Sequence, residues 1–234
     1  MYNMTINNVS KRYTNHLVLE NISLDFEEGK VYGLLGKNGV GKTTLLKIVV
    51  KLIPIKRYDE KIKILDSQRK MAALISNPSC YMNLRVKDNL KLYSILYYKN
   101  KDEQEQAIES IIKDLKIESM LKKRACELSL GMLQQLKLAL TFISGSNILI
   151  LDEPFNGLDI EASLTLKEKI REEKRLGKTI IITSHNTEQL EKICDDFVIL
   201  HDAKITNVER KDLEKHSLEK IYCNILERGR AYAG

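Results

Sequence analysis

Nine residues constrain this 234-residue chain more than any others: Gly36-Lys37-Asn38-Gly39-Val40-Gly41-Lys42-Thr43-Thr44. Three of the chain's eleven glycines fall within six residues here, in the spacing G-x-x-x-x-G-K-[ST]. A bound phosphate needs several backbone N–H donors converging on one point, and only glycine lets a loop curl that tightly. The flanking sequence supplies a frame. Lys30–Leu35 is a short apolar run that predicts a buried strand, and Thr43–Leu52 predicts a helix ending before Pro54. The N-terminus of that helix adds a dipole that favours an anion. In such a loop Lys42 reaches the β- and γ-phosphates of a nucleotide, and the Thr43 hydroxyl ligates Mg²⁺.

A second signal lies far along the chain. Asn147–Leu151 is a continuous apolar run, as expected of a strand buried on both faces, and it ends in Asp152-Glu153. An acidic residue at the C-terminal end of a parallel strand lies where α/β sheets bind ligands. One carboxylate can hold the Mg²⁺ shell and the next can polarise an attacking water. Alone the pair is a weak signal; with the phosphate loop it is a strong one.

The rest of the pattern is α/β. Thr5–Phe26 alternates loosely and predicts short strands, with turns at Thr14-Asn15 and Glu28-Gly29. Ile62–Leu65 and Ala72–Ile75 read as strands. From Val86 to about Ser144 the apolar residues take helical spacing, at Leu90, Tyr93, Leu96 and Tyr97 and again at Ile108, Ile111, Ile112 and Leu115, with Lys99–Gln106 read as a polar linker. Glu161–Leu176 is a charged helix stopped by Gly177, and Thr179–Thr183 is another apolar run. Strand, helix and strand in that order form a βαβ crossover, so the two strands are expected to be parallel. A helix from Thr187, a strand at Phe197–His201 and a charged, partly helical tail from Lys211 complete the reading.

Composition narrows the setting. Lys and Arg number 38 against 32 Asp and Glu, a net charge of +6. No basic stretch is interleaved with aromatics and Trp is absent, so no nucleic-acid partner is expected. The longest apolar runs fall far short of the ~20 residues of a membrane-spanning helix. The opening Met-Tyr-Asn-Met-Thr lacks the basic-then-apolar pattern of a secretory signal. Four widely spaced cysteines without a Cys-x-x-Cys suit a reducing cytoplasm better than a disulfide scaffold.

On these residues the chain resembles the nucleotide-binding subunit of an ATP-binding cassette (ABC) transporter over essentially its whole length. Further elements match that family in order. Tyr13, in Ser-Lys-Arg-Tyr, stands where the family stacks an aromatic on adenine. Leu128-Ser129-Leu130-Gly131-Met132 matches the signature Leu-Ser-Gly-Gly-Gln in part. Asn156-Gly157-Leu158-Asp159 follows the acidic pair as the family's D-loop does, and His185 matches its switch histidine. Taken out of this series, Tyr13 is a half-exposed strand tyrosine, Ser129 a helix cap and His185 a loop residue.

The resemblance implies a P-loop NTPase (RecA-like) core, residues 1–84 and 145–210, with an N-terminal antiparallel β subdomain, an inserted helical subdomain at 85–144 and a C-terminal tail at 211–234. It implies ATP and Mg²⁺ as cofactors and a homodimer that forms on ATP, each nucleotide lying between Lys42, Thr43 and Asp152 of one copy and Ser129 and Gly131 of the other, with Tyr13 and Asp159 contributing. Glu153 and His185 take the catalytic roles, and integral-membrane permease subunits hold the chain at the inner face of the cell membrane. Three positions depart from the family. Ser76 stands where a Mg²⁺-contacting Gln is usual, Leu130 replaces Gly and Met132 replaces Gln. The signature variant, the Gln-rich helix after it and the segment Ile75-x-x-Pro78-x-x-Tyr81-x-Asn83-Leu84 are similar to ATPases of lantibiotic-immunity and bacitracin-resistance exporters. A soluble ABC ATPase without a permease is the alternative reading.

Overall fold

The structure, a computed structural model, describes residues 2–56, 61–64, 70–75 and 80–231. It opens with two long strands, β1 (Tyr2–Tyr13) and β2 (His16–Glu27), paired antiparallel around the Thr14-Asn15 turn. Each is twelve residues long, against the short strands that the sequence suggests. The loose alternation has a structural cause. The register shifts along the pair, and Asn8 and Asn21 take positive φ at 50° and 51°. Such irregularities move side chains off a strict period of two without ending a strand. β4 (Ile62–Ile64) adds antiparallel to the other edge of β1.

The second sheet has six strands in the order β5-β6-β7-β3-β8-β9. These are β3 (Val31–Leu35), β5 (Met71–Leu74), β6 (Ile148–Leu151), β7 (Thr179–Thr183), β8 (Asp196–His201) and β9 (Lys204–Glu209). All are parallel to their neighbours except β9, which returns antiparallel on β8. The sequence reading missed β9, an edge strand with Val208 alone fully buried. The turn before it is a two-residue hairpin at Asp202-Ala203, both with positive φ, at 44° and 61°.

The parallel strands are apolar throughout because both faces are covered. Ile148, Ile150, Ile181, Val198 and Leu200 face α1 (Lys42–Val49) and the antiparallel sheet; Leu149, Leu151, Ile180, Ile182, Phe197 and Ile199 face the other helices. Burying each such side chain stabilises the fold by about 1.5–3 kcal/mol. The second layer comprises α2 (Val86–Tyr97), α3 (Lys101–Leu115), α4 (Leu130–Phe142), α5 (Ile160–Arg175), the short α6 (Thr187–Glu191) and α7 (Leu218–Ala231). The expected polar linker Lys99–Gln106 is mostly helix. Asn100 caps α3 by accepting from the Asp102 N–H at 2.9 Å, and Asp102 and Glu103 occupy the first turn. A polar stretch with that cap is a helix start rather than a loop.

A buried cation ties α3 to α5. Lys169, 7% exposed, donates to Asp114 Oδ2 at 2.6 Å, Glu173 Oε1 at 2.9 Å and Glu172 Oε2 at 3.0 Å, and Lys178 pairs with Glu173 from the other side. Burial alone would push the Lys169 pKa down; the hydrogen bonds to Asp114 and Glu173 outweigh it and hold the ammonium above the ordinary lysine value. Removing one partner of such a cluster strands the others. Lys169→Ala is expected to cost about 3 kcal/mol in urea unfolding. Lys174→Ala, at a more exposed pair with Asp195, should cost less than about 1 kcal/mol. Equal losses would mean that the buried cluster adds nothing.

Candidate functional site

Three parallel strands end abreast. Leu34 pairs with Thr183, and Leu151 pairs with Ile182, so the segments after β3, β6 and β7 leave the sheet side by side. The phosphate loop follows β3. Its tightness depends on glycine at two places. Gly36 has φ 156° and a Cβ there would lie 2.5 Å from the Leu200 carbonyl oxygen; Gly41 has φ 118° and a Cβ there would lie 2.7 Å from Val18 Cγ1. Gly39 also has positive φ, at 79°, but a Cβ there would meet nothing within 4 Å.

Lys42 opens α1 at 7% exposure and folds over the loop, donating to Gly36 O at 2.6 Å and Lys37 O at 3.2 Å. Burial pushes its pKa down, opposed by the charges of Glu153 and Asp152. Thr43 donates from Oγ1 to Asp152 Oδ2 at 2.8 Å. Glu153 has φ 49°, and its carboxylate Oε2 lies 3.2 Å from His185 Nδ1. His185 itself is exposed. Asn38, Gly39, Gly41, Lys42, Thr43, Thr44, Asp152 and Glu153 line one cleft of about 200 Å³. Val40 packs its Cγ1 2.8 Å from where a Gly36 Cβ would stand.

The donor set fits a small hard cation held partly by phosphate. Among the described residues, no group of three or more His, Cys, Asp or Glu side chains could form a metal cage. Mg²⁺ does not need one, since it takes one or two protein oxygens and completes its shell with phosphate and water. Thr43, with Asp152 hydrogen-bonded to its hydroxyl, could hold such a cation.

The other residues singled out from the sequence lie outside this cleft. Tyr13 ends β1, 43% exposed, with Lys11 Nζ 5.3 Å from its ring centroid. Ser129 caps α4, accepting from the Met132 N–H at 3.3 Å. Leu130, 76% exposed, is the first residue of α4, and the position asks for no positive φ, so leucine replaces glycine there without strain. Gly131 lies so close to the 156–159 turn that a Cβ would stand 2.6 Å from Gly157 O. Asp159 caps α5 by accepting from the Ala162 N–H at 2.8 Å. Ser76 lies outside the described residues.

Comparison with known proteins identifies the arrangement. The family described as "ABC transporter" matches residues 19–156. The chain belongs to the ABC transporter family. It is 32% identical over 225 residues to an uncharacterized ABC transporter ATP-binding protein of Methanocaldococcus jannaschii, covering 96% of this chain and 83% of that one. It is 31% identical over 225 residues to the lantibiotic transport ATP-binding protein SrtF of Streptococcus pyogenes, covering 94% and 96%. The solved ATP binding subunit of an ABC transporter superposes with a TM-score of 0.86 at 27% identity, covering 95% of this chain and 99% of that one. The protein is thus an ABC transporter ATP-binding subunit with the P-loop NTPase fold. Among the described residues, no helix is long and apolar enough to cross a membrane.

Two polar side chains of this ABC subunit escaped the sequence reading. Gln134, on α4, donates to Pro154 O at 3.1 Å and so ties the signature helix to the acidic loop. Thr183, fully buried, donates to Asp152 Oδ1 at 2.6 Å and accepts the Glu153 N–H at 2.8 Å. The available signal was a hydroxyl closing a strand whose three central residues are isoleucine.

The glycine geometry generates a contrast. Gly36→Ala drives a methyl into a backbone carbonyl and is expected to cost about 3 kcal/mol, within the overpacking range. Gly39→Ala meets open space and should cost about 1 kcal/mol for its φ alone. Urea unfolding of both variants checks this; equal costs would contradict the packed geometry at Gly36.

Proposed function

We propose that this ABC subunit hydrolyses ATP and drives a separate integral-membrane permease, in an exporter that gives immunity or resistance to a peptide antibiotic. The observation that carries the ATPase reading is the convergence of Lys42, Thr43, Asp152 and Glu153 on one cleft, with His185 against Glu153. The name of SrtF supports the cargo class, as does the resemblance of Leu128–Met132 to the signature of lantibiotic-immunity and bacitracin-resistance ATPases.

Each residue has a role in this reading. The backbone of Gly36–Thr44 cradles the phosphates, and Lys42 exchanges its two carbonyl partners for β/γ-phosphate oxygens. Mg²⁺, when bound, neutralises charge on those oxygens. Thr43 and Asp152 would hold it, the threonine through its oxygen and the aspartate by keeping that hydroxyl oriented. Glu153 orients and deprotonates the attacking water, and His185 steadies its carboxylate and reaches the γ-phosphate. Tyr13 stacks on adenine. Ser129, Gly131 and Asp159 lie outside the cleft of their own chain and complete the site of a second copy, so turnover takes a homodimer. Residues 1–84 and 145–210 form the nucleotide core, 85–144 the helical subdomain and 211–234 the tail. Ser76 is assigned to the metal side of the site on resemblance alone. The permease places the chain at the cytoplasmic face of the cell membrane.

Two substitutions test the site. Lys42→Ala removes charge-assisted hydrogen bonds to phosphate and should weaken ATP binding about 10- to 100-fold by calorimetry; unchanged affinity would contradict the phosphate-loop role. Glu153→Gln keeps the binding groups and loses the base, so hydrolysis should fall at least about 100-fold with ATP affinity retained. Hydrolysis at the parent rate would remove Glu153 from the mechanism. The transport role is tested by capturing Glu153→Gln with ATP and Mg²⁺ from detergent-solubilised cells. A multi-span membrane protein should co-purify; soluble partners alone would favour a soluble ABC ATPase.

A further inference from the structure

We propose that Thr183 is a positioning residue that sets both acids of the site, Asp152 through its carboxylate and Glu153 through its main chain. The inference rests on the ATPase reading above and adds to it a residue outside the sequence motifs.

The hydroxyl of Thr183 has one hydrogen and two lone pairs. Its hydrogen goes to Asp152 Oδ1 at 2.6 Å, and a lone pair takes the N–H of Glu153 at 2.8 Å. The other carboxylate oxygen, Asp152 Oδ2, takes the hydroxyl hydrogen of Thr43 at 2.8 Å. Asp152 is therefore gripped at both oxygens, by a residue of α1 on one side and the last residue of β7 on the other. Rotating the carboxylate breaks at least one of these bonds. Because Thr43 sends its only hydrogen to Asp152, its lone pairs stay free for a cation.

The main-chain contact does separate work. Glu153 has φ 49°, a conformation that residues other than glycine adopt sparingly. Its N–H has Thr183 Oγ1 as acceptor, which holds the turn that aims the glutamate at the cleft and at His185. Thr183 is fully buried, so no water replaces its hydroxyl without a cavity. Valine has the same shape without the hydroxyl; serine keeps the hydroxyl and loses a methyl. The two variants separate hydrogen bonding from packing.

The experiment compares the full chain with Thr183→Val and Thr183→Ser. Three quantities are read: the Mg²⁺ concentration needed for half-maximal binding of a slowly hydrolysed ATP thio-analogue, affinity for that analogue without Mg²⁺, and kcat for ATP. Partners that orient metal-site ligands are typically worth 10- to 100-fold. Thr183→Val should therefore raise the Mg²⁺ requirement about tenfold and lower kcat about 30-fold, with Mg²⁺-free affinity unchanged. Thr183→Ser should stay within about threefold of the parent on all three. The proposal is overturned if Thr183→Val matches the parent in Mg²⁺ requirement and kcat. It is also overturned if Thr183→Ser falls as far as Thr183→Val, since the methyl rather than the hydroxyl would then matter. Should the parent itself hydrolyse no ATP, the ATPase reading fails, and the Mg²⁺ requirement for analogue binding still decides the role of Thr183.

Discussion

Three parallel strands that end side by side set the terms for the rest of the molecule. β3, β6 and β7 are in register, and their C-terminal ends carry the phosphate loop, the acidic pair and the Thr183–His185 segment. No loop has to travel far to bring its residues to the cleft. The strands hold this register because they are apolar on both faces and are covered on both, by α1 and the antiparallel sheet on one side and by the longer helices on the other. A slip of one residue would exchange the side chains packed on the two faces, and would also break the two threonine contacts to Asp152.

In the proposed dimer, the same architecture leaves each site half built within its own chain. The cleft holds the phosphate loop and the acids, while Ser129 and Gly131 start α4 against the Gly157 turn and do not line it. Two large apolar side chains stand exposed at the starts of α4 and α5. Leu130 is 76% exposed, and Ile160 on the first turn of α5 is 81% exposed. Leucine and isoleucine side chains standing in solvent next to two helix starts suit a face covered in the assembled state. The Gln134–Pro154 hydrogen bond links that face to the backbone beside Glu153.

Much of this was legible in the residues themselves, for physical reasons. The phosphate loop announces itself because the conformations at Gly36 and Gly41 admit hardly any other residue. The strands Ile148–Leu151 and Thr179–Thr183 announce themselves because burial on both faces leaves no polar option. Features that depend on tertiary partners were harder to read. β9 is half exposed and carries no apolar period. The start of α3 reads as a polar linker until its Asn100 cap is recognised. Thr183 looks like an ordinary strand end, because nothing local says that Asp152 and Glu153, thirty residues earlier, share its hydroxyl. Asp159 and Ser129 show the converse: each is a helix cap within its own chain, and a second role for either needs another molecule.

The central claim is that ATP closes two copies of this chain around the split site. Sedimentation velocity of Glu153→Gln, with and without saturating ATP and Mg²⁺, measures it most directly. The account predicts a species of twice the 26.9 kDa chain mass with nucleotide and a single chain without it. A protein that binds ATP fully and still sediments as one chain would contradict it.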